Sequence, residues 1–321
     1  MTDWLNLIKE ASTIALFSHI NSDGDANGSV MAMKHMLENL NKKVYVFVPL
    51  PISESFHFTG VNKYSCIENS NKYDLAIALD APNTKRFGQC EPEFFKAKKS
   101  ISIDHHMDNE HYAEITILDA EISSTCELLY KLFSEEKLNI TPEIATCLYL
   151  GIATDTGGFM HSFHGAVTSS TWKILAELAG KGADMETVNF NVFVHLRKPV
   201  FEIFRKGLNR VELFENGKIA MCCVNKRLLD ETGAEITDTH KLTDIVGGID
   251  GVEITAIMTQ RGYREQSVSV RSNKHNAQRI CKHFGGGGHL KASGCRIFEP
   301  FAIAKEQLLE ECKSELYRDD K

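Results

Sequence analysis

The stretch Ile101-Ser102-Ile103-Asp104-His105-His106-Met107-Asp108-Asn109 constrains this chain more than any other. An alternating apolar run, the pattern of a buried strand, delivers an aspartate and two adjacent histidines to its carboxyl end. In an open α/β sheet ligands and catalytic groups collect there, because the loops leave a crevice between helices. Three other segments also end an apolar run in Asp or His: Phe17-Ser18-His19 leads into Asp23-Gly24-Asp25, Ala76-Ile77-Ala78-Leu79 ends at Asp80, and Gly151-Ile152-Ala153-Thr154 ends at Asp155. Strands are predicted at 14–18, 43–48, 74–79, 100–103 and 115–118, and helices at 26–40, 123–137, 142–153 and 167–180. This alternation specifies an α/β fold with a mostly parallel, doubly wound sheet.

Beyond about residue 183 the rhythm changes. Residues 184–209 read as helical, interrupted at Pro199, which predicts a linker of two helices. Strands are then predicted at Val211–Phe214, Ile219–Val224, Val252–Thr259, Gln266–Arg271 and Ser293–Phe298, with Glu215-Asn216-Gly217 as a hairpin turn. Helices are predicted near 240–246, 275–283 and 301–317. The expected organisation is a catalytic domain over 1–183, a helical linker over 184–209 and a smaller α+β domain over 210–321. The 321 residues suffice for two cores.

A formal net charge of −7 argues against a protein that coats long nucleic acid, which needs many Lys and Arg contacts to phosphates. A small anionic substrate remains compatible, because bound cations and a few basic residues supply a local positive field. No apolar run approaches the roughly 20 residues of a membrane span. The N-terminal residues lack the basic, hydrophobic and cleavage segments of a secretory signal. Nine cysteines without C-x-x-C spacing read mostly as buried thiols, so a cytoplasmic location is expected.

His19-Ile20-Asn21-Ser22-Asp23-Gly24-Asp25-Ala26-Asn27-Gly28-Ser29 could be an ordinary turn rich in Asp, Asn and Gly. An EF-hand calcium loop is the sharper rival, and it fails. Lys34 stands where a bidentate Glu is required, and a strand rather than a helix precedes Asp23. Taken singly, each motif has a structural explanation. Together, His19, Asp23, Asp25, Asp80, His105, His106 and Asp155 around one crevice would bury mutually repelling carboxylates unless cations were present. Two divalent metals relieve that repulsion, and at roughly 3.5–4 Å apart they activate water and hold phosphoryl oxygens. Mixed carboxylate and imidazole donors suit manganese, with magnesium, cobalt or iron as alternatives.

These residues resemble the DHH family of phosphoesterases, named for the triplet matched by Asp104-His105-His106. The family's first motif, H-x-x-P-D-G-D-A-x-G-S, is matched by His19 to Ser29 with Ser22 in place of Pro, a change that removes no ligand. Asp80 and Asp155 resemble the second and fourth motifs. The resemblance implies that His19, Asp23 and Asp80 hold one metal, and that Asp25, Asp80, His105 and Asp155 hold the other, with Asp80 bridging. It implies that His106 faces the scissile phosphate or the leaving oxygen and that Asp104 orients a histidine. Arg86 is a candidate phosphate contact, with a surface arginine paired to an acid as the alternative.

Phe284-Gly285-Gly286-Gly287-Gly288-His289 could be a linker, yet it sits between a helix pattern and a strand pattern. Consecutive glycines let backbone N–H groups approach an anion. The run resembles the GGGGH motif of the DHH-associated C-terminal domain, and Ser269-Val270-Arg271-Ser272 resembles its substrate-binding strand. Gly286, Gly287, Gly288, His289, Arg271 and Ser272 are therefore expected to clamp substrate, across a cleft from the metals.

The two-domain form is similar to the branch of nano-RNases and 3′-phosphoadenosine 5′-phosphate phosphatases. The implied activity is two-metal hydrolysis of short RNA from an end, of phosphoadenosine phosphate, or of linear or cyclic dinucleotides. An inorganic pyrophosphatase or exopolyphosphatase of the same superfamily and a non-catalytic nucleotide sensor are the alternatives. The expected partner is a short oligonucleotide or nucleotide, with no long duplex and no membrane; the resemblance also admits a homodimer.

Overall fold

The computed structural model describes residues 3–66, 72–160, 167–239 and 242–318, and the chain divides into two compact units, Met1–His195 and Leu196–Lys321. The first carries strands β1 (Thr13–Phe17), β2 (Lys43–Phe47), β3 (Tyr73–Leu79), β4 (Ala97–Asp104) and β5 (Ile115–Leu118). They form one sheet in the order β2-β1-β3-β4-β5, and every pair is parallel. Successive side chains on a strand face opposite sides, and both sides are apolar here. Ile14, Leu16, Leu75, Ile77, Ile101 and Ile103 join one core with the flanking helices. Ala15, Phe17, Phe47, Tyr73, Ala76 and Ala78 pack on the other side with Phe87 and Phe94. This is the doubly wound α/β sheet expected from the alternation. The chain reverses direction across the sheet between β1 and β3, which creates a topological switch point at their carboxyl ends.

Four helices place the polar residues that follow: Gly24–Asn39, Thr125–Glu135, Pro142–Asp155 and Ser169–Gly180. The first starts at an Asp23 cap, whose side chain accepts from the Asp25 and Ala26 amides. The apolar run that ends at Asp155 is the C-terminal part of Pro142–Asp155, so this carboxylate leaves a helix end and not a sheet edge like His19, Asp80 and Asp104. The break in the 184–209 segment falls at His195–Arg197, where His195 and Arg197 have extended backbone. Pro199 instead occupies the first turn of the helix Lys198–Leu208, where its missing N–H costs nothing.

The second unit holds β6 (Val211–Phe214), β7 (Ile219–Val224), β8 (Ile254–Gly262), β9 (Glu265–Ser272), β10 (Gly287–Gly288) and β11 (Ala292–Ile297). Their order is β10-β11-β9-β8-β7-β6, antiparallel except for the β7–β8 pair. The β6–β7 turn has left-handed backbone at Glu215, Asn216 and Gly217. One face is covered by the helices Ala277–His283 and Phe301–Leu316. On the other face, helices Lys198–Leu208, Lys226–Thr232 and Leu242–Gly247 pack against β7 and β8, and Leu242–Gly247 also against β9. Residues 240–241 of the predicted helix at 240–246 lie outside the described residues. No helix among the described residues is long and apolar enough to cross a membrane.

Candidate metal centre

β1, β3 and β4 lie side by side, so the residues just past their carboxyl ends are neighbours. His19 follows β1, Asp80 follows β3, and Asp104-His105-His106 closes β4. The Ser18 hydroxyl donates to the Leu79 carbonyl at 2.8 Å and ties the first two strand ends together. Asp80 has left-handed backbone, φ 56°, which Asp tolerates better than most residues. Strain of this kind clusters at functional sites.

Asp80 is the centre of the cluster. One carboxylate oxygen lies 3.4 Å from His19 Nε2, and the other lies 3.6 Å from both His105 Nε2 and His106 Nδ1. His19 Nε2 is also 3.8 Å from Asp23. On the other side, His105 Nε2 is 3.1 Å from Asp155 and 3.9 Å from Asp25. Three overlapping donor groups result: His19 with Asp23 and Asp80, Asp80 with His105 and His106, and Asp25 with His105 and Asp155.

Glycines permit this crowding. A Cβ on Gly24 would sit 2.3 Å from the Thr154 side chain, and one on Gly151 would sit 2.3 Å from an Asp25 carboxylate oxygen. A Cβ on Gly28 would meet the Cys147 carbonyl at 2.5 Å. The helices Gly24–Asn39 and Pro142–Asp155 therefore approach closely, and that approach carries Asp155 to the cluster.

A further set of contacts holds the donors, and of its residues only Asp104 is marked by the sequence. Asp25 accepts from the backbone amides of Thr125 and Cys126 at 2.7 and 2.9 Å, at the N-terminus of Thr125–Glu135. The Thr125 hydroxyl donates to Asp80 at 3.0 Å. Asp104 is buried and accepts from the amides of His105 and His106 and from the Asn109 side chain. It also lies 2.7 Å from His106 Nδ1. The Ser124-Thr125-Cys126-Glu127 sequence is a capping signature that marks this helix start. Its aim at Asp25, a hundred residues away, leaves no trace in the sequence.

The electrostatics follow from the crowding. Burial, and then the charges of Asp80 and Asp155, push the Asp25 carboxyl well above the usual carboxylate range. Burial with Asp23 and Asp80 does the same to Asp155. Burial opposes charge on Asp80 as well, but His19, His105 and His106 outweigh it and hold Asp80 below that range. Burial lowers the His19 and His106 imidazoles; Asp80 overrides this for His19, and Asp104 with Asp80 for His106, each rising to about 9. Protein groups alone therefore do not let all these carboxylates ionise. A donor set of oxygen and imidazole nitrogen around them fits divalent cations.

Residues 13–152 match the model of the DHH family, N-terminal domain. This stretch of the first unit is a DHH-family N-terminal domain. The chain is 26% identical over 323 residues to a probable bifunctional oligoribonuclease and PAP phosphatase NrnA of Streptococcus mutans, covering 96% of both chains. It is 27% identical over 308 residues to the bifunctional oligoribonuclease and PAP phosphatase NrnA of Thermus thermophilus, covering 95% of this chain and 90% of that one. The crystal structure of an exopolyphosphatase-related protein from Bacteroides fragilis shares the fold, with a TM-score of 0.86 at 24% identity over 97% of this chain and 94% of that one.

The other expected site residues are placed differently. Arg86 is exposed, and its carbonyl accepts from the Ile20 amide at 2.7 Å, beside His19. In the second unit, Arg271 is half-buried on β9 and His289 is exposed after β10. The Ser272 side chain points away from a clamp. Its hydroxyl donates to the Glu253 carbonyl and accepts from the amides of Lys274 and His275. The glycine run is not an open cradle of donors. The amides of Gly285 and Gly286 bond to Lys282 and Cys281, closing the helix Ala277–His283 with Gly285 in left-handed conformation. The His289 amide bonds to the Ala292 carbonyl, and Gly287–Gly288 pairs with β11. A Cβ on Gly286 would strike the Gly294 carbonyl at 2.3 Å, so that glycine is needed for packing.

Proposed function

We propose that this DHH-domain protein hydrolyses short nucleotidic phosphoesters: very short RNA from an end, 3′-phosphoadenosine 5′-phosphate, or linear or cyclic dinucleotides. The single observation that carries the reading is Asp80, with one oxygen toward His19 and the other toward His105 and His106. In this reading His19, Asp23 and Asp80 hold one divalent metal, and Asp25, Asp80, His105 and Asp155 hold the other. Manganese is the proposed native ion, because imidazole and carboxylate donors are mixed. When bound, the metals neutralise phosphoryl charge and activate the attacking water.

The chain's own residues do the rest. Asp104 has its carboxylate fixed by amide donors and by Asn109, and it holds His106 through Nδ1. His106 Nε2 is proposed to face the scissile phosphate and to donate a hydrogen bond or proton to the leaving oxygen. The Thr125 hydroxyl orients the Asp80 carboxylate, and the Thr125–Cys126 amides orient Asp25. Arg271 and His289 are proposed to contact the nucleotide, and Arg86 a phosphate. The names of the Streptococcus and Thermus relatives support the substrate class. The net charge of −7 favours short substrates over long strands.

The test is a turnover panel with manganese: phosphoadenosine phosphate, di- to pentanucleotide RNA, linear and cyclic diadenylate, pyrophosphate and polyphosphate. Release of AMP or mononucleotides is the expected result. Turnover of pyrophosphate or polyphosphate alone would replace the reading with the inorganic one.

A further inference from the structure

Asp80 is held by its backbone as well as by its carboxylate. Its amide donates to the Ile103 carbonyl of β4 at 3.1 Å, while its side chain accepts from the Thr125 hydroxyl. Its left-handed backbone persists in a non-glycine residue only where the surroundings fix it. On the exit side, the Ala81 carbonyl accepts from the Tyr112 hydroxyl at 2.8 Å, an ordinary O–H···O distance. The segment after the Asp104-His105-His106 triplet thus folds back over the loop that follows Asp80. In the same segment, the Glu110 amide donates to the Pro82 carbonyl at 2.8 Å, and the Glu110 carboxylate accepts from the Asn83 side chain at 3.0 Å.

A turn and a ring pocket aim Tyr112. Asn109 Oδ1 accepts from the His111 amide at 2.8 Å, and His111 has left-handed backbone, which turns the chain. The Tyr112 ring lies edge-on to Phe87 and Phe94, with ring centroids 6.0 and 5.8 Å away. A phenylalanine would keep this packing and lose only the hydroxyl. A second path leads from Tyr112 towards Asp104. Ser102 donates to the Tyr112 hydroxyl at 3.3 Å, and Asn109 Nδ2 donates to Ser102 at 3.5 Å. Both links are long, whereas Asn109 donates to Asp104 at 2.7 Å. Tyr112 therefore acts mainly on Asp80, and Asn109 on Asp104 with His106.

We infer that Tyr112 is a positioning residue of the metal centre: its hydroxyl fixes the backbone where the chain leaves Asp80, and so the place of the carboxylate that two metals would share. The inference rests on the two-metal reading above. Ile103 holds the amide of Asp80, Thr125 its side chain and Tyr112 the peptide after it. The three contacts come from different segments, and each restrains a different part of the same residue. Loss of the Tyr112 contact frees the exit side alone, which moves the carboxylate without removing any ligand.

The test compares Tyr112→Phe with Tyr73→Phe in the full chain. Tyr73 is buried at the opposite end of β3 and bonds through its hydroxyl to Glu93, so it controls for the loss of a buried hydroxyl contact. Three readouts are taken: manganese binding by calorimetry with electron paramagnetic resonance, kcat and KM for phosphoadenosine phosphate, and hydrogen exchange of peptides covering Asp80 in the metal-free chain. Tyr112→Phe is expected to weaken manganese binding about tenfold, to reduce the exchange-coupled signal, and to lower kcat about tenfold with KM unchanged. Exchange at Asp80 should quicken about threefold or more, because the loop opens more often. Tyr73→Phe should match the wild type in all three. Wild-type manganese binding and Asp80 exchange in Tyr112→Phe would overturn the inference, as would equal losses in Tyr73→Phe. If the wild type binds no metal pair, the two-metal reading falls, and exchange at Asp80 alone decides whether Tyr112 holds that residue.

Discussion

The carboxyl edge of the first sheet and the open face of the second use polar residues in opposite ways. At the first, seven side chains from four segments distant in sequence, Asp80 among them, form one cluster, and most are buried among one another's charges. At the second, serines, glycines and arginines are spread along two strands, and the glycine amides largely satisfy their own backbone. Concentrated charge of the first kind is stable only with a counter-ion, so it points to metal chemistry. A dispersed, half-exposed surface of the second kind demands no counter-ion.

The comparison breaks first at Asp80. Asp80→Ala removes the carboxylate shared by His19, His105 and His106, and turnover should fall at least about a thousandfold, several kcal/mol of charge stabilisation. Retention of manganese-dependent activity on every substrate would refute the bridging role. Next is Thr125→Val, which keeps the shape but loses the hydroxyl bond to Asp80. Metal affinity and kcat should drop about 10–100-fold, with Thr125→Ser restoring them. A variant with normal metal affinity would show that Asp80 needs no such support.

On the other side of the comparison, Arg271→Gln should raise KM for nucleotidic substrates by about tenfold or more, the worth of a charge-assisted phosphate contact. Hydrolysis of bis-p-nitrophenyl phosphate, which has no nucleoside, should change little. Equal losses on both would move Arg271 into the chemistry. The sharpest pair is Gly151→Ala against Gly287→Ala. The first drives a methyl into Asp25 and Cys126 and should cost about 1–3 kcal/mol of stability together with metal binding. The second meets nothing within 4 Å and should shift stability by under about 0.5 kcal/mol. Thermal melts of the two, with and without manganese, decide the matter.

Much of this is legible in the sequence because strand periodicity and terminal Asp or His residues are local signals. The five parallel strands, the DHH triplet at the end of β4 and the turn at Glu215-Asn216-Gly217 all follow from neighbours in the chain. Asp155 stands out as a residue, and the helix predicted at 142–153 places it at a helix end, as the helix Pro142–Asp155 does. The Thr125 and Cys126 contacts to Asp80 and Asp25 are out of reach because they depend on tertiary approach. The glycine run shows the opposite failure. Four glycines look like a ring of anion donors, but the amides of Gly285 and Gly286 close a helix instead, and Gly287–Gly288 pairs with β11.

The central claim is a pair of metals sharing Asp80. Its most direct measurement is a manganese titration of the metal-free full chain, by calorimetry with electron paramagnetic resonance, for the wild type and Asp80→Asn. Two ions per chain with exchange-coupled spectra in the wild type, and loss of the coupling in Asp80→Asn, is the predicted result. One uncoupled ion in the wild type, or an unchanged coupled pair in Asp80→Asn, would contradict it.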